Sequence, residues 1–252
     1  MQIIVNNLVV SYQRVGTGPV ALLLHGWADT YHTFDALVDK LSGQYTVVRL
    51  DLAGFGGSQP PEGSWNLSDY ANFVRDVLQK IAIMPNDITL LIGHSNGGAI
   101  AIDATSKGIL KPKKLILIAS SGIREDSVRK TAIGAIAKVG KVATLVLPKK
   151  YKLSIRNKFY NKVGSDFLIA EHMQGTFLKI VSEDVRHDAE KLSVPTCLIY
   201  GELDMSTPPV YGQLLQQSIE GSVLNVVQNA DHFVHQSYTE EVYKLIREFD
   251  RA

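Results

Sequence analysis

The chain has 252 residues, of which 45% are hydrophobic and 20% are charged, and its formal net charge at neutral pH is +1. This length and composition are typical of a globular protein with one or two domains and exclude a disordered or fibrous chain. No apolar run approaches the roughly 18 residues that a membrane-spanning helix needs, and no basic stretch with interleaved aromatic residues indicates nucleic-acid binding.

The cysteine content and the N-terminal residues indicate the cellular compartment in which the protein is expected. Cys197 is the single cysteine, so the chain forms no internal disulfide, and no cysteines and histidines have zinc-ligand spacing. The first residues are strand-like and lack the basic-then-apolar pattern of a signal peptide. We therefore expect a cytoplasmic protein without a metal site or an integral membrane segment.

Short apolar runs rich in β-branched residues predict the strands. From residue 20 onward most of them are nearly continuous, as expected for strands buried on both faces of a parallel sheet. The predicted strands lie at 3–5, 8–12, 20–24, 45–50, 88–93, 114–119, 196–201 and 223–227.

Helix-like segments alternate with these strands, which predicts an α/β sheet with crossover helices. Asn6 and Asn7 join the first two strands and predict a hairpin, so the N-terminal edge of the sheet should be antiparallel. The predicted helices lie at 33–41, 68–82, 97–107, 209–219 and 237–250.

The alternation breaks between about residues 121 and 190, where the chain is helix-prone and shows no clear strand. Residues 122–165 hold eleven lysines and arginines against two acidic residues, a net charge of +9, while the rest of the chain carries −8. We interpret 122–190 as an insertion into a core made of 1–121 and 191–252. Its basic residues could attract anionic substrates or an acidic membrane surface, or could be solvated lysines.

The sequence around Ser95 predicts a nucleophile. Gly93-His94-Ser95-Asn96-Gly97 fits G-x-S-x-G, with a predicted strand before it and a predicted helix after it, as the nucleophile-elbow motif requires. Glycines let the two backbones approach closely at so sharp a turn. The helix N-terminus favours negative charge beside the serine.

An activated serine needs a base, and the base needs an acid that orients it. In such a sheet these residues follow later strands in the order serine, acid, histidine. Asp204 and His232 stand at the expected positions; Glu202 is a rival for the acid, and His235 is a rival for the base. We favour Asp204 and His232, and expect His235 to be a surface or packing residue at the last helix.

Two backbone donors should complete the site. The N–H groups of Trp27 and Asn96 are the candidates for an oxyanion hole, with His25 and Gly26 supporting the first of them. We expect His94 to be structural, since adjacent side chains at a sharp turn point apart. Gly93 and Gly97 support the elbow.

LLLHGW, DLAGFGGS, GHSNGG, GELD and NADHF stand in the order and at the spacings of the α/β-hydrolase superfamily, and the resemblance covers nearly the whole chain. It implies the α/β-hydrolase fold, a mostly parallel eight-stranded sheet with helices on both faces, and makes 122–190 a helical cap. It also implies a structural role for Asp51. Relatives that hydrolyse haloalkanes or epoxides carry an aspartate nucleophile, so Ser95 disfavours those reactions.

These residues predict a serine hydrolase that cleaves carboxylic esters of small to medium acyl chains through an acyl-enzyme on Ser95. Its partner is a small-molecule ester, and no metal or organic cofactor is needed. Two alternatives remain open, namely a carbon–carbon bond hydrolase of a diketone-type substrate with the same triad, and a slow-turnover binding protein with this fold.

Overall fold

The computed structural model of the chain describes residues 1–124 and 173–251. Most of the predicted insertion, residues 125–172, lies outside this range, so the expected cap is described only at its two ends.

Within the described part of the chain, eight strands form one sheet in the order β1-β2-β4-β3-β5-β6-β7-β8. β2 pairs antiparallel with both β1 and β4, and all other neighbouring strands pair parallel. All eight strand predictions are confirmed, and so is the mostly parallel sheet. The strands are β1 (Gln2–Val5), β2 (Leu8–Val15), β3 (Val20–Leu24), β4 (Thr46–Leu50), β5 (Ile88–His94), β6 (Lys114–Ile118), β7 (Thr196–Gly201) and β8 (Val223–Val227).

The predicted hairpin at the N-terminal edge is also confirmed. Asn6 and Asn7 adopt φ values of 50° and 64°. Two consecutive residues with positive φ give the turn whose twist matches that of the flanking strands. Asparagine tolerates this backbone region better than most other residues do.

The helices fall close to their predicted positions, with one exception. The predicted helix 237–250 begins two residues later, at Thr239, because the backbone leaves the helical region at Tyr238, where φ is −127° and ψ is 42°, and a short helix that was not predicted precedes it. The helices are α1 (Asp35–Leu41), α2 (Leu67–Lys80), α3 (Asn96–Ser106), α4 (Gln174–Ser182), α5 (Arg186–Ala189), α6 (Pro209–Ser218), α7 (Val234–Ser237) and α8 (Thr239–Arg251), with short 3₁₀ turns at Tyr31–Phe34 and Pro85–Asp87.

The core lies on both faces of the sheet because successive side chains of a strand point to opposite faces. Leu91 of β5 packs with residues of α2 and α3. Leu90 and Ile92 pack instead with residues of α1 and α8. The central strands are therefore largely apolar on both faces, which explains why their sequences lack alternation.

This topology brings the carboxyl ends of β3, β5, β7 and β8 to one edge of the sheet, since these strands run parallel. The loops that follow them carry the predicted site residues. No helix in the described ranges is long and apolar enough to cross a membrane. Cys197 is buried in β7, and burial raises the pKa of its thiol to about 12.

Candidate active site

Ser95 occupies a strained turn between β5 and α3. Its φ is 51° and its ψ is −116°, a backbone region that residues with a Cβ rarely adopt. Backbone hydrogen bonds made by the N–H and the carbonyl group of Ser95 hold it in this strained conformation. The Ser95 N–H donates to Ile118 O at 3.0 Å, and the Ser95 carbonyl accepts from the N–H groups of Ser121 and Gly98, each at 3.0 Å.

The glycines around Ser95 permit close backbone contact, as the motif predicts. A Cβ on Gly93 would lie 2.5 Å from the carbonyl oxygen of Gly97, and a Cβ on Gly97 would overlap the backbone of Leu24 in β3. No side chain fits at either position without moving a strand. The elbow is therefore locked between β3, β5 and α3.

Asp204 and His232 meet across the loops that follow β7 and β8. His232 Nδ1 lies 2.8 Å from Asp204 Oδ2. Glu202, the rival acid, is exposed and turned away, and its Oε2 accepts from the Asn229 N–H at 2.9 Å. The structure thus brings Asp204, and not Glu202, to the histidine.

Asp204 is held as a buried carboxylate. Its Oδ1 accepts from the N–H groups of Ser206 and Thr207 at 2.7 and 2.9 Å, and Thr207 Oγ1 lies 2.8 Å from Oδ2. Burial raises the pKa of Asp204, but the hydrogen bonds with His232 and Thr207 outweigh this effect and hold the pKa below its usual value. Because an ionised carboxylate can only accept, His232 carries its proton on Nδ1 and leaves Nε2 as the basic nitrogen.

His232 lies beside the elbow. Its backbone carbonyl is 3.1 Å from His94 Nε2, and the rings of His94 and His232 are 4.8 Å apart. Among the residues that the structure describes, no hydrogen bond joins Ser95 and His232. Such bonds are often long in enzymes without substrate and tighten when the substrate binds.

Two roles are predicted for His235, a surface residue or a packing residue, and the structure excludes the first. His235 lies in the short helix α7, is 1% exposed, and its Nε2 is 2.9 Å from Thr33 Oγ1. The centroid of its ring lies 4.3 Å from that of His94, with the two rings tilted at 49°, and burial lowers the pKa of His235 to about 3. His235 is therefore a neutral packing residue.

The loop after β3 runs directly against the elbow. A Cβ on Gly26 would lie 3.2 Å from Ser95 Cβ, so glycine permits this approach. The next residue, Trp27, packs its indole between Phe55 and Phe177, with ring centroids 4.8 and 5.2 Å away. On the other side of Ser95, Asn96 opens α3, where a backbone N–H has no acceptor within the helix.

His25 and Asp51 fix the loops beneath this region. His25 Nδ1 lies 2.7 Å from Gly26 O, and its Nε2 accepts from the Leu52 N–H at 2.9 Å. Burial lowers the pKa of His25, which keeps the ring neutral. The Asp51 carboxylate accepts from the N–H groups of Tyr31 and Gly57, each at 2.8 Å. The side chains of His25 and Asp51 therefore hold the backbone of these loops in position.

The C-terminal end of the predicted insertion packs against the core. Thr176 Oγ1 of α4 accepts from the Trp65 N–H at 2.9 Å, and Phe177 contacts Trp27. Arg124 donates to the carbonyl oxygens of Ile180 and Glu183, at 3.1 and 3.0 Å, and so caps the C-terminus of α4. Helix α4 is therefore tied both to the loop after β3 and to the point where the insertion leaves β6.

Comparison with known proteins gives the family. The sequence model described as the alpha/beta hydrolase family matches residues 21–245. The chain belongs to the alpha/beta hydrolase family. The expectation drawn from the sequence motifs is thereby confirmed, and the enzyme class is hydrolase.

Relatives of this hydrolase include an esterase. It is 27% identical over 242 residues to a pimeloyl-[acyl-carrier protein] methyl ester esterase of Neisseria meningitidis, covering 90% of this chain and 91% of that protein. It is 32% identical over 116 residues to an uncharacterized protein of Mycobacterium tuberculosis, covering 46% of this chain but only 33% of that longer protein. The enol-lactonase of Burkholderia xenovorans shares the fold, with a TM-score of 0.77, 18% identity and full coverage of both chains.

Sequence reasoning missed two features of the hydrolase site. Thr207, three residues after Asp204, donates to the buried carboxylate, and His94 reaches the backbone of His232. A threonine at this spacing is a turn signal that could have been read for Thr207. No sequence signal announces the His94 contact, which spans 138 positions. Among the described residues, histidine, cysteine, aspartate and glutamate side chains form no cluster that could hold a metal ion.

Proposed function

We propose that this protein is a serine hydrolase that cleaves carboxylic esters of small to medium acyl chains, with Ser95, His232 and Asp204 as its triad. The observation that carries the proposal is the 2.8 Å hydrogen bond between His232 and the buried Asp204, beside a serine in elbow geometry. A serine, a histidine and a carboxylate in these roles form the constellation of acyl transfer.

Acylation follows from the protonation states. Asp204 is an anion and holds the proton of His232 on Nδ1, so Nε2 accepts the proton of Ser95 as the serine oxygen attacks the ester carbonyl. The imidazolium that forms is stabilised by Asp204. It then gives its proton to the departing alcohol, which leaves an acyl-enzyme on Ser95.

Deacylation repeats the chemistry with water as the nucleophile. His232 removes a proton from water, the water oxygen attacks the acyl carbonyl, and the carboxylic acid leaves as Ser95 recovers its proton. In both steps we assign the backbone N–H groups of Trp27 and Asn96 to the oxyanion. Each such donor is worth about 3–4 kcal/mol of barrier.

The esterase relative of Neisseria supports the ester class, and the described end of the insertion supports a cap. We assign residues 122–190 to a helical cap and residues 1–121 and 191–252 to the hydrolase core. Helix α4 packs on Trp27, the residue to which we assign one oxyanion donor, so the cap would bear directly on the site. The cytoplasmic location stays a prediction, which cell fractionation tests.

A series of p-nitrophenyl esters from acetyl to palmitoyl tests the substrate class. Wild type should hydrolyse the short and medium esters, and Ser95→Ala should lose the activity. A fluorophosphonate probe, read by mass spectrometry of the Ser95 peptide, reports the nucleophile independently of acyl length. A labelled Ser95 with slow turnover across the series would contradict the ester assignment and favour carbon–carbon bond hydrolysis or slow binding. An unlabelled Ser95 would contradict the triad itself.

A further inference from the structure

The contact between His94 and His232 joins the end of strand β5 to the loop after β8, at a point that the chemistry of the triad leaves unsupported. His94 Nε2 lies 3.1 Å from the backbone carbonyl oxygen of His232. Within the described ranges this is the one hydrogen bond made by the main chain of His232. Asp204 holds the ring of His232, and His94 holds its backbone.

The contact fixes the tautomer of His94. A carbonyl oxygen only accepts, so Nε2 carries the hydrogen and Nδ1 does not. His94 is 1% exposed, and burial among neighbouring histidines lowers its pKa well below the ordinary value, which keeps the ring neutral. A neutral ring with its hydrogen on Nε2 presents one donor to His232.

Packing leaves the His94 ring little freedom to turn away. The His235 ring packs against it at a tilt of 49°, with the ring centroids 4.3 Å apart, and is itself held by Thr33. Gly26 also approaches the ring so closely that a Cβ there would lie 3.2 Å from His94 Nδ1. The ring is therefore a rigid link between the elbow and the loop of the base.

We propose that His94 is a positioning residue, which holds the His232 imidazole in line with Ser95 through the backbone carbonyl of His232. The inference rests on the proposed triad and adds to it a donor that touches no substrate. Since β5 carries both His94 and the turn at Ser95, one rigid strand sets the nucleophile and the backbone of the base together. Small displacements of a catalytic group cost large factors in rate, about 100-fold for 1 Å.

Three variants separate the donated hydrogen bond from mere packing. His94→Gln places an amide donor near the position of Nε2, His94→Asn carries the same amide one methylene shorter, and His94→Leu fills the space without a donor. We expect His94→Asn and His94→Leu to lower kcat by about 10- to 100-fold with little change in KM. His94→Gln should recover most of the wild-type kcat.

The measurements are kcat and KM on the best p-nitrophenyl ester, with thermal unfolding of each variant and Ser95→Ala in parallel. Equal kcat values in wild type and all three variants would overturn this inference alone, as would a glutamine variant as slow as the asparagine variant. The glutamine and asparagine pair keeps the test decisive if His94→Leu does not fold. Failure of Ser95-dependent turnover in wild type would overturn the proposed function and this inference with it.

Discussion

At the scale of single residues, the structure distinguishes Asp204 from Glu202, two acidic residues that lie two positions apart in the sequence. Asp204 is buried and accepts three hydrogen bonds besides that of His232, whereas Glu202 is exposed and bonds the Asn229 backbone. A carboxylate that must stay ionised in a buried site needs such donors, because burial alone favours its neutral form. Only Asp204 has them.

Asp204→Asn should lower kcat by about 10⁴-fold while leaving the fold intact, because an amide at this position favours the wrong tautomer of the base. Glu202→Gln is the matched control and should keep nearly full activity. Steady-state kinetics on a short p-nitrophenyl ester, with circular dichroism of both variants, make the comparison. Full activity in Asp204→Asn together with loss in Glu202→Gln would show that the acid has been assigned to the wrong residue.

At the scale of elements, the turn between β5 and α3 depends on the absence of side chains. Gly97 lies against the backbone of Leu24, so β3 and α3 meet without a Cβ between them. This contact brings Ser95 next to the loop of Gly26 and Trp27. The geometry of the elbow therefore depends on how β3, β5 and α3 pack against one another.

Gly97→Ala should destabilise the protein by about 3 kcal/mol and reduce activity, because the added Cβ meets rigid backbone. Gly43→Ala is the control, since nothing lies within 4 Å of a Cβ there. Urea denaturation gives the free energy of unfolding of each variant. An unchanged value for Gly97→Ala would mean that β3 and α3 can separate at low cost.

The attachment of helix α4 to the core is a second feature at this scale, and Arg124 contributes to it. Arg124→Met should remove the donors to Ile180 and Glu183 while keeping much of the packing of the side chain. We expect faster amide hydrogen exchange in residues 174–183 and no change in α2. Hydrogen exchange with mass spectrometry checks this, with Lys191→Met, at a half-exposed lysine paired with Asp188, as the comparison. Equal exchange rates in wild type and Arg124→Met would show that Arg124 does not hold α4 in place.

At the scale of the whole molecule, buried neutral histidines couple folding to pH. Burial lowers the pKa values of His25, His94 and His235 below the ordinary 6.5, that of His235 to about 3. Between these values the unfolded chain binds more protons than the folded protein does. Stability therefore rises with pH across this window and is lost as the pH falls below about 6.5.

His235→Gln should make the acid side of the stability curve shallower by up to one proton, because it removes one such group while an amide can still reach Thr33. The free energy of unfolding, measured by urea denaturation from pH 4 to pH 7.5, gives the slope. His187→Gln, at an exposed histidine, serves as the control and should keep the wild-type slope. A slope in His235→Gln equal to that of wild type would mean that His235 does not contribute.

The sequence by itself determined the sheet, the family and the position of the elbow. Strands buried on both faces form nearly continuous apolar runs, so runs such as 88–93 are visible without any tertiary information. Asn6 and Asn7 specify their hairpin through local backbone preference. The glycines around Ser95 likewise report a steric requirement within one turn, which is why the motif is legible in the chain.

Only the tertiary structure decided which side chains meet. The bond between Asp204 and His232 and the contact between His94 and the His232 backbone join residues 28 and 138 positions apart. Such contacts depend on how the loops of β5, β7 and β8 leave the sheet, and no periodicity or turn preference encodes that path. The burial of His235 has the same origin, since helix α7 places this side chain against Thr33, Phe34 and His94, which lie far from it in the sequence.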